Sequence, residues 1–301
     1  MTKTHALDHD WATDGPDPAI GPEDLRERAL AVLAVNHMTM AKASFAALVA
    51  AAGRLGCVGV ELRNDLPQPL FDGQSPQQAG EVLRAAGLRL LALAEVKMFN
   101  AWSDTRLAEA LALMDIAQAA GAEAVSLIPR NDAKGTGEGE RQANLRLALR
   151  ELKPHLEARG LVGLVEPLGF EISSLRSKAE AVDAIEAVGG AGRFKLVHDT
   201  FHHALAGGGP IFAAHTGLVH ISGVVDPRPG LADMRDPHRV LVDGSDRLDN
   251  VGQLRALHDA GYAGPVSVEA FAPAVHDNTD LEGALSRSFH FIEAALAETD
   301  A

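Results

Sequence analysis

The sequence predicts a closed (β/α)8 barrel, and three observations carry that expectation. Eight short Val/Leu-rich runs recur along the chain, alanine- and leucine-rich segments with helical spacing lie between them, and no glycine-rich nucleotide-binding turn follows the first run. Strand-like runs alternating with helical patterns indicate βαβ units and a parallel sheet. Without a nucleotide-binding turn, eight such units favour a closed barrel over a doubly wound sheet, which stays as the alternative.

Residues 1–29 are polar, acidic and proline-bearing, and are expected to form an arm or cap ahead of one barrel domain over 30–301. The runs expected as strands are AVLAVN (31–36), CVGVEL (57–62), LRLLALA (88–94), AEAVSLI (122–128), LVGLVE (161–166), FKLVHD (194–199), GLVHIS (217–222) and PVSVEA (265–270). Between them, segments such as SFAALVAAAGRLG, LAEALALMDIAQAAG and NVGQLRALHDAGY carry helical spacing, and several end near the glycine expected just past a helix C-terminus. The longest interruption, residues 224–250, follows the seventh run and is rich in Asp, Arg, Pro and Gly. In a barrel it is a βα loop on the active-site face, composed as a lid over a polar ligand would be.

Composition narrows the function classes. Apolar residues make up 47% of the 301, enough for a large core. Lys+Arg is 27 against Asp+Glu 41, giving −14, which argues against a sequence-independent grip on nucleic acid. The single Cys57 rules out an internal disulfide and sits in an apolar run where a buried thiol is expected. The first residues lack the apolar core of a signal peptide and no stretch approaches a membrane span, so a cytoplasmic protein without membrane or nucleic-acid partners is expected.

The strand ends carry the chemistry. Glu61, Glu166, Asp199, His220 and Glu269 close the second, fifth, sixth, seventh and eighth runs. Strand C-termini ring one mouth of a barrel, so these ionisable groups converge there. Alternation places Val162, Leu164 and Glu166 on one face, Ser267 with Glu269, and Val197 with Asp199, while His198 points the other way. An oxygen-rich set with one imidazole suits hard divalent ions such as Mn²⁺ or Mg²⁺, with Co²⁺ or Zn²⁺ tolerated. Without a metal, several carboxylates in one pocket would repel one another and drive at least one pKa up.

The strand endings VEP at Glu166, HDTFH at Asp199, VHISG at His220 and SVEAF at Glu269 resemble the xylose isomerase-like TIM barrel superfamily of sugar isomerases and epimerases, over nearly the whole chain from about residue 30. Within it, AEVKMFNAW (94–102) and DPHRVLVDGSDRLDN are most similar to the inosose isomerases of inositol catabolism. The resemblance implies one divalent metal, Mn²⁺ first and Mg²⁺, Co²⁺ or Zn²⁺ as alternatives, held by Glu166, Asp199, His220 and Glu269. It implies that Glu166 and Glu269 double as the proton-transfer pair, and that His202 contacts a substrate oxygen. An arginine after the seventh strand does likewise in the family; Arg228 is the best positional match, with Arg235 and Arg239 competing. Glu61 is expected to contact substrate, or to orient Arg63 or the ligands. Trp102 and Phe99 are candidates for an apolar wall under a cyclitol ring.

A carbonyl shift requires removal of a proton from the carbon beside the carbonyl, which is too weak an acid for a free carboxylate alone. A metal that stabilises the enediolate, with a carboxylate in reach as base and then acid, meets that need. The expected activity is therefore interconversion of 2-keto-myo-inositol and 1-keto-D-chiro-inositol. Ketose 3-epimerase, hydroxypyruvate isomerase or inosose dehydratase on the same site are the alternatives. Apurinic-site DNA cleavage needs more metal ligands and a basic surface, and the −14 charge speaks against it. The expected partner is a small polyol or ketose, and the superfamily often forms homo-oligomers.

Overall fold

The computed structural model describes residues 32–298, so the expected arm over 1–29 lies outside the described residues. Eight parallel strands close on themselves in sequence order. They are β1 (Leu33–Asn36), β2 (Gly59–Arg63), β3 (Arg89–Lys97), β4 (Ala124–Ile128), β5 (Val162–Val165), β6 (Phe194–Asp199), β7 (Thr216–Ile221) and β8 (Val266–Val268). Closure comes from β1 pairing with β8, with Ala34 opposite Ser267. Each overlaps one of the apolar runs, because strands covered on both faces read as continuous Val/Leu stretches.

The helices form where spacing and caps agree. They are α1 (Phe45–Arg54), α2 (Pro76–Ala85), α3 (Asp104–Ala120), α4 (Glu138–Arg159), α5 (Lys178–Ala187), α6 (Thr200–Leu205), α7 (Asn250–Asp259), α8 (Pro273–His276) and α9 (Leu281–Ala297). A capping box starts α2: the Ser75 hydroxyl accepts from the Gln78 amide while the Gln78 side chain accepts from the Ser75 amide. At the other end, α3 stops on Gly121 at φ 74°, a left-handed conformation that glycine adopts without steric cost. Pro154 lies inside α4, where a proline costs about 3 kcal/mol. Leu149, Leu152 and Leu156 of the same helix are fully buried, and at ~1.5–3 kcal/mol each their burial outweighs that cost.

Two apolar layers result. The helices contribute Phe45, Leu83, Met114, Leu152 and Phe289 to one core, which meets the outward side chains of the strands, Val60, Leu62, Val125 and Val219 among them. Inside the barrel, Ala34, Leu91, Ala92, Ala124, Leu164, Val197 and Leu218 form a separate plug. One step further along the same inward rows the residues become polar and charged, because the strands run in one direction and end at one mouth. Cys57 is buried as expected, and burial pushes its thiol up to about 12. No described helix is long and apolar enough to cross a membrane.

Candidate metal centre and active site

Glu166, Asp199, His220 and Glu269 meet at the mouth. One ligand atom from each can be chosen so that all lie within 4.8 Å of one another. All four are buried, at 2–4% exposure. Their strand positions explain the convergence: Asp199 lies directly opposite His220 in the β6–β7 register. Leu164 and Val197, two residues earlier on their strands, point into the plug. Alternation thus carries the row inward. His198 takes the other face, donating from Nε2 to Gln253 on α7 at 3.0 Å.

His220 is set for a metal by the residue behind it. Its Nε2 donates to both Glu61 carboxylate oxygens, at 3.1 and 3.0 Å. The other ring nitrogen, Nδ1, is buried and lacks a hydrogen-bond partner. It faces Glu269 Oε2 at 3.3 Å, Glu166 Oε1 at 3.8 Å and Asp199 Oδ2 at 3.9 Å. Without a metal, Glu61 and Glu269 outweigh burial and raise the imidazole well above its ordinary range; a divalent cation would take the place of the Nδ1 proton among the three carboxylates, with the opposite N–H fixed by Glu61. The residues present therefore fit such an ion. Glu61, wholly buried, stands behind the imidazole and orients it; of its two expected roles, substrate contact and ligand orientation, its position serves the second. Glu61→Ala is expected to weaken divalent-metal binding by about 10–100-fold. Competition against a chromophoric chelator checks this, and unchanged affinity would rule out the orienting role.

The cluster's charge is balanced from two sides. Arg239 is 1% exposed and places one terminal nitrogen 2.6 Å from Asp199 Oδ2 and 3.0 Å from Glu269 Oε2. Its guanidinium lies over the Phe271 ring at 4.6 Å and the Phe201 ring at 5.0 Å. Arg63 approaches from β2, donating to Glu269 Oε1 at 2.8 Å while its other nitrogens serve Asp65 and Glu95. Asn36 adds a third side-chain donor to Glu269 at 3.2 Å. These contacts divide the carboxylates. Burial alone would raise the Glu269 carboxyl, but His220, Arg239 and Arg63 outweigh it and hold the group well below its ordinary range. Asp199 is likewise lowered, as Arg239 and His202 outweigh burial. Glu166 lacks an arginine partner, and burial, helped by repulsion from Glu269 and Asp199, pushes it up to about 7 despite His220.

His202 lines the same centre, with Nε2 3.9 Å from Glu166 Oε1. Its backbone N–H donates to Asp199 Oδ1 at 2.9 Å, so Asp199 caps α6 with one oxygen and faces the cluster with the other. Arg228, the arginine favoured from sequence, lies elsewhere: its side chain is 86% exposed and pairs with Asp226 at 2.7 Å. Arg239 from the same loop occupies the site instead, because Gly223 and Val240 bridge and fold the loop back over β8. Phe99 is fully buried in the main core, which corrects its expected place under a ring, and Trp102 is partly buried against that core; Phe271 and Phe201 are the aromatics beside Arg239. Sequence reasoning named Arg63 only as a partner of Glu61 and passed over Asn36. Alternation could have found them, since Arg63 shares a face with Glu61 and Asn36 ends β1 opposite Glu61.

A family model described as a xylose isomerase-like TIM barrel matches residues 49–294. The solved structure of a xylose isomerase domain containing protein from Salmonella typhimurium LT2 is similar at 29% identity and TM-score 0.82, covering 89% of this chain and 98% of that one. The IolI protein with a bound zinc atom is similar at 19% identity and TM-score 0.80, covering 89% and 100%. D-allulose 3-epimerase from Methylomonas sp. in complex with D-allulose is similar at 18% and 0.62, covering 88% and 94%. At these identities the last two speak to the fold. No curated protein matches the chain in sequence.

Proposed function

We propose, from the premise that this chain belongs to the xylose isomerase-like TIM barrel family, that it is a divalent-metal-dependent isomerase of inososes acting in the cytoplasm. Its reaction would interconvert 2-keto-myo-inositol and 1-keto-D-chiro-inositol. The observation that carries the reading is the Nδ1 of His220 aimed at Glu166, Asp199 and Glu269. Those four residues would hold the ion, with Mn²⁺ the best match to an oxygen-rich set and zinc the metal bound in IolI. When bound, the ion supplies Lewis-acid polarisation of a carbonyl and its neighbouring hydroxyl.

The protein's own groups then divide the work. Glu166, which no arginine grips and which faces His202, is suited to take a proton from the carbon beside the carbonyl and return it to the neighbouring carbon. Glu269, gripped by Arg63, Arg239 and Asn36, stays ionised and fixed. His202, kept neutral by burial despite Asp199, can hydrogen-bond a substrate hydroxyl through Nε2. This asymmetry favours isomerisation, in which one glutamate handles both transfers on one face. Epimerisation, as in the ketose 3-epimerases of the same fold, would need both glutamates to exchange protons.

Incubation with 2-keto-myo-inositol in D₂O, followed by NMR, tests the proposal. Deuterium should enter beside the carbonyl as a second inosose accumulates, and chelation should stop both until Mn²⁺ is restored. Absence of exchange with any inosose would sink the assignment. Loss of water to a diketone would make the protein a dehydratase, and C3 inversion of a ketose an epimerase.

A further inference from the structure

A cavity of ≈ 160 Å³ lies beside the end of β6 between the start of α5 and α6. Its walls include Arg176, Lys178, His202 and His203, with Asp199 the only carboxylate residue. Among the described residues, neither cation forms an ion pair. Lys178 Nζ donates to His198 Nδ1 at 2.7 Å. Burial and the neighbouring Lys178 keep that imidazole neutral, and its Nε2 donates to Gln253. Arg176 donates to the backbone carbonyls of Gly169 and Leu205, at 3.1 and 3.2 Å. Asp199 forms no ion pair with either: its Oδ1 accepts from the His202 amide and its Oδ2 from Arg239.

His203 adds an imidazole to the same wall. The first turn of α5 begins on this wall with Ser177, Lys178 and Ala179, adding the positive end of its dipole. A half-buried cation without a counter-ion loses affinity for its proton, and burial draws Lys178 down to about 7 against the pull of Asp199.

We propose that this cavity is a second binding site, for a small oxyanion of the phosphate class, held by Lys178, Arg176 and the imidazole of His203. Charge and donor chemistry select the ligand: Lys178 and Arg176 bring positive charge without an ion pair, a neutral His203 still carries one N–H, and a tetrahedral oxyanion accepts from several directions at once. The site is separate from the carboxylate cluster and touches it through Asp199 and His202. It does not rest on the isomerase reading.

Calorimetric titration of metal-free protein with inorganic phosphate, near neutral pH and at constant ionic strength in chloride, tests the site without any metal that could bind phosphate. One saturable site is expected. Lys178→Met should weaken it by about ten-fold or more, and Lys178→Arg should retain it within a few-fold. His203→Phe on the facing wall should also weaken it, and serves as the readout if Lys178→Met folds poorly. Glycerol phosphate distinguishes the natural source: tighter binding than phosphate points to the phosphoryl end of a metabolite, weaker binding to the free ion, and either must depend on Lys178. Absence of saturable binding at millimolar phosphate, or wild-type binding by Lys178→Met and His203→Phe, overturns the proposal.

Discussion

Glu166→Gln is expected to lower kcat by about 10²–10⁴-fold, the range supplied by a positioned general acid–base group. The amide keeps one oxygen that can face a cation but cannot take up a proton. Metal stoichiometry measured on the purified variant should therefore fall far less than turnover, and exchange of the substrate's α-proton with D₂O should fall in step with kcat. Glu269→Gln should behave differently. It removes a charge that Arg63 and Arg239 both pair with, at 2.8 and 3.0 Å, so its metal content and folding stability should fall together with its rate. If Glu166→Gln keeps both its metal and the wild-type exchange rate, the proton passes through another group.

Arg239→Ala should cost about 3–5 kcal/mol of unfolding free energy in the metal-free protein, because Asp199 is left buried without its arginine and Glu269 keeps only Arg63 of its two. Asp199 Oδ2 and Glu269 Oε2 share this one guanidinium, and both residues are almost fully excluded from water. Denaturant unfolding in the presence of a chelator measures the loss. A divalent ion supplies positive charge to the same two carboxylates, so adding Mn²⁺ should stabilise the variant more than the wild type. Arg228→Ala, an exposed change in the same loop, should leave the unfolding midpoint where it was. A loss below about 1 kcal/mol for Arg239→Ala would mean the carboxylates find their compensation elsewhere.

Much of this architecture was legible because barrel strands obey short-range rules. The apolar runs locate β1 to β8, and period-two alternation puts Glu166, Asp199, His220 and Glu269 on the inward row while sending His198 to the helices. The choice among Arg228, Arg235 and Arg239 could not be made that way. It depends on where the loop after β7 turns back, which is set by the Gly223–Val240 bridge and by the Phe271 and Ala272 amides donating to the Arg239 carbonyl. Those contacts join segments distant in sequence, with no periodic pattern to mark them. The role of Glu61 was obscured for a related reason. A carboxylate ending a strand looks the same whether it meets a ligand or the back of an imidazole, and only the neighbouring row decides.

Asp199 has a consequence for how this centre can be altered. Because one of its oxygens holds the start of α6 while the other faces the cluster, the position couples a helix boundary to the chemistry. A library that varies it would score folding defects and lost turnover as one phenotype, and few members would survive to be read. The loop after β7 offers the opposite: apart from Arg239, many of its side chains are exposed, so new substrate preferences are better sought there by directed evolution, with Asp199 held constant.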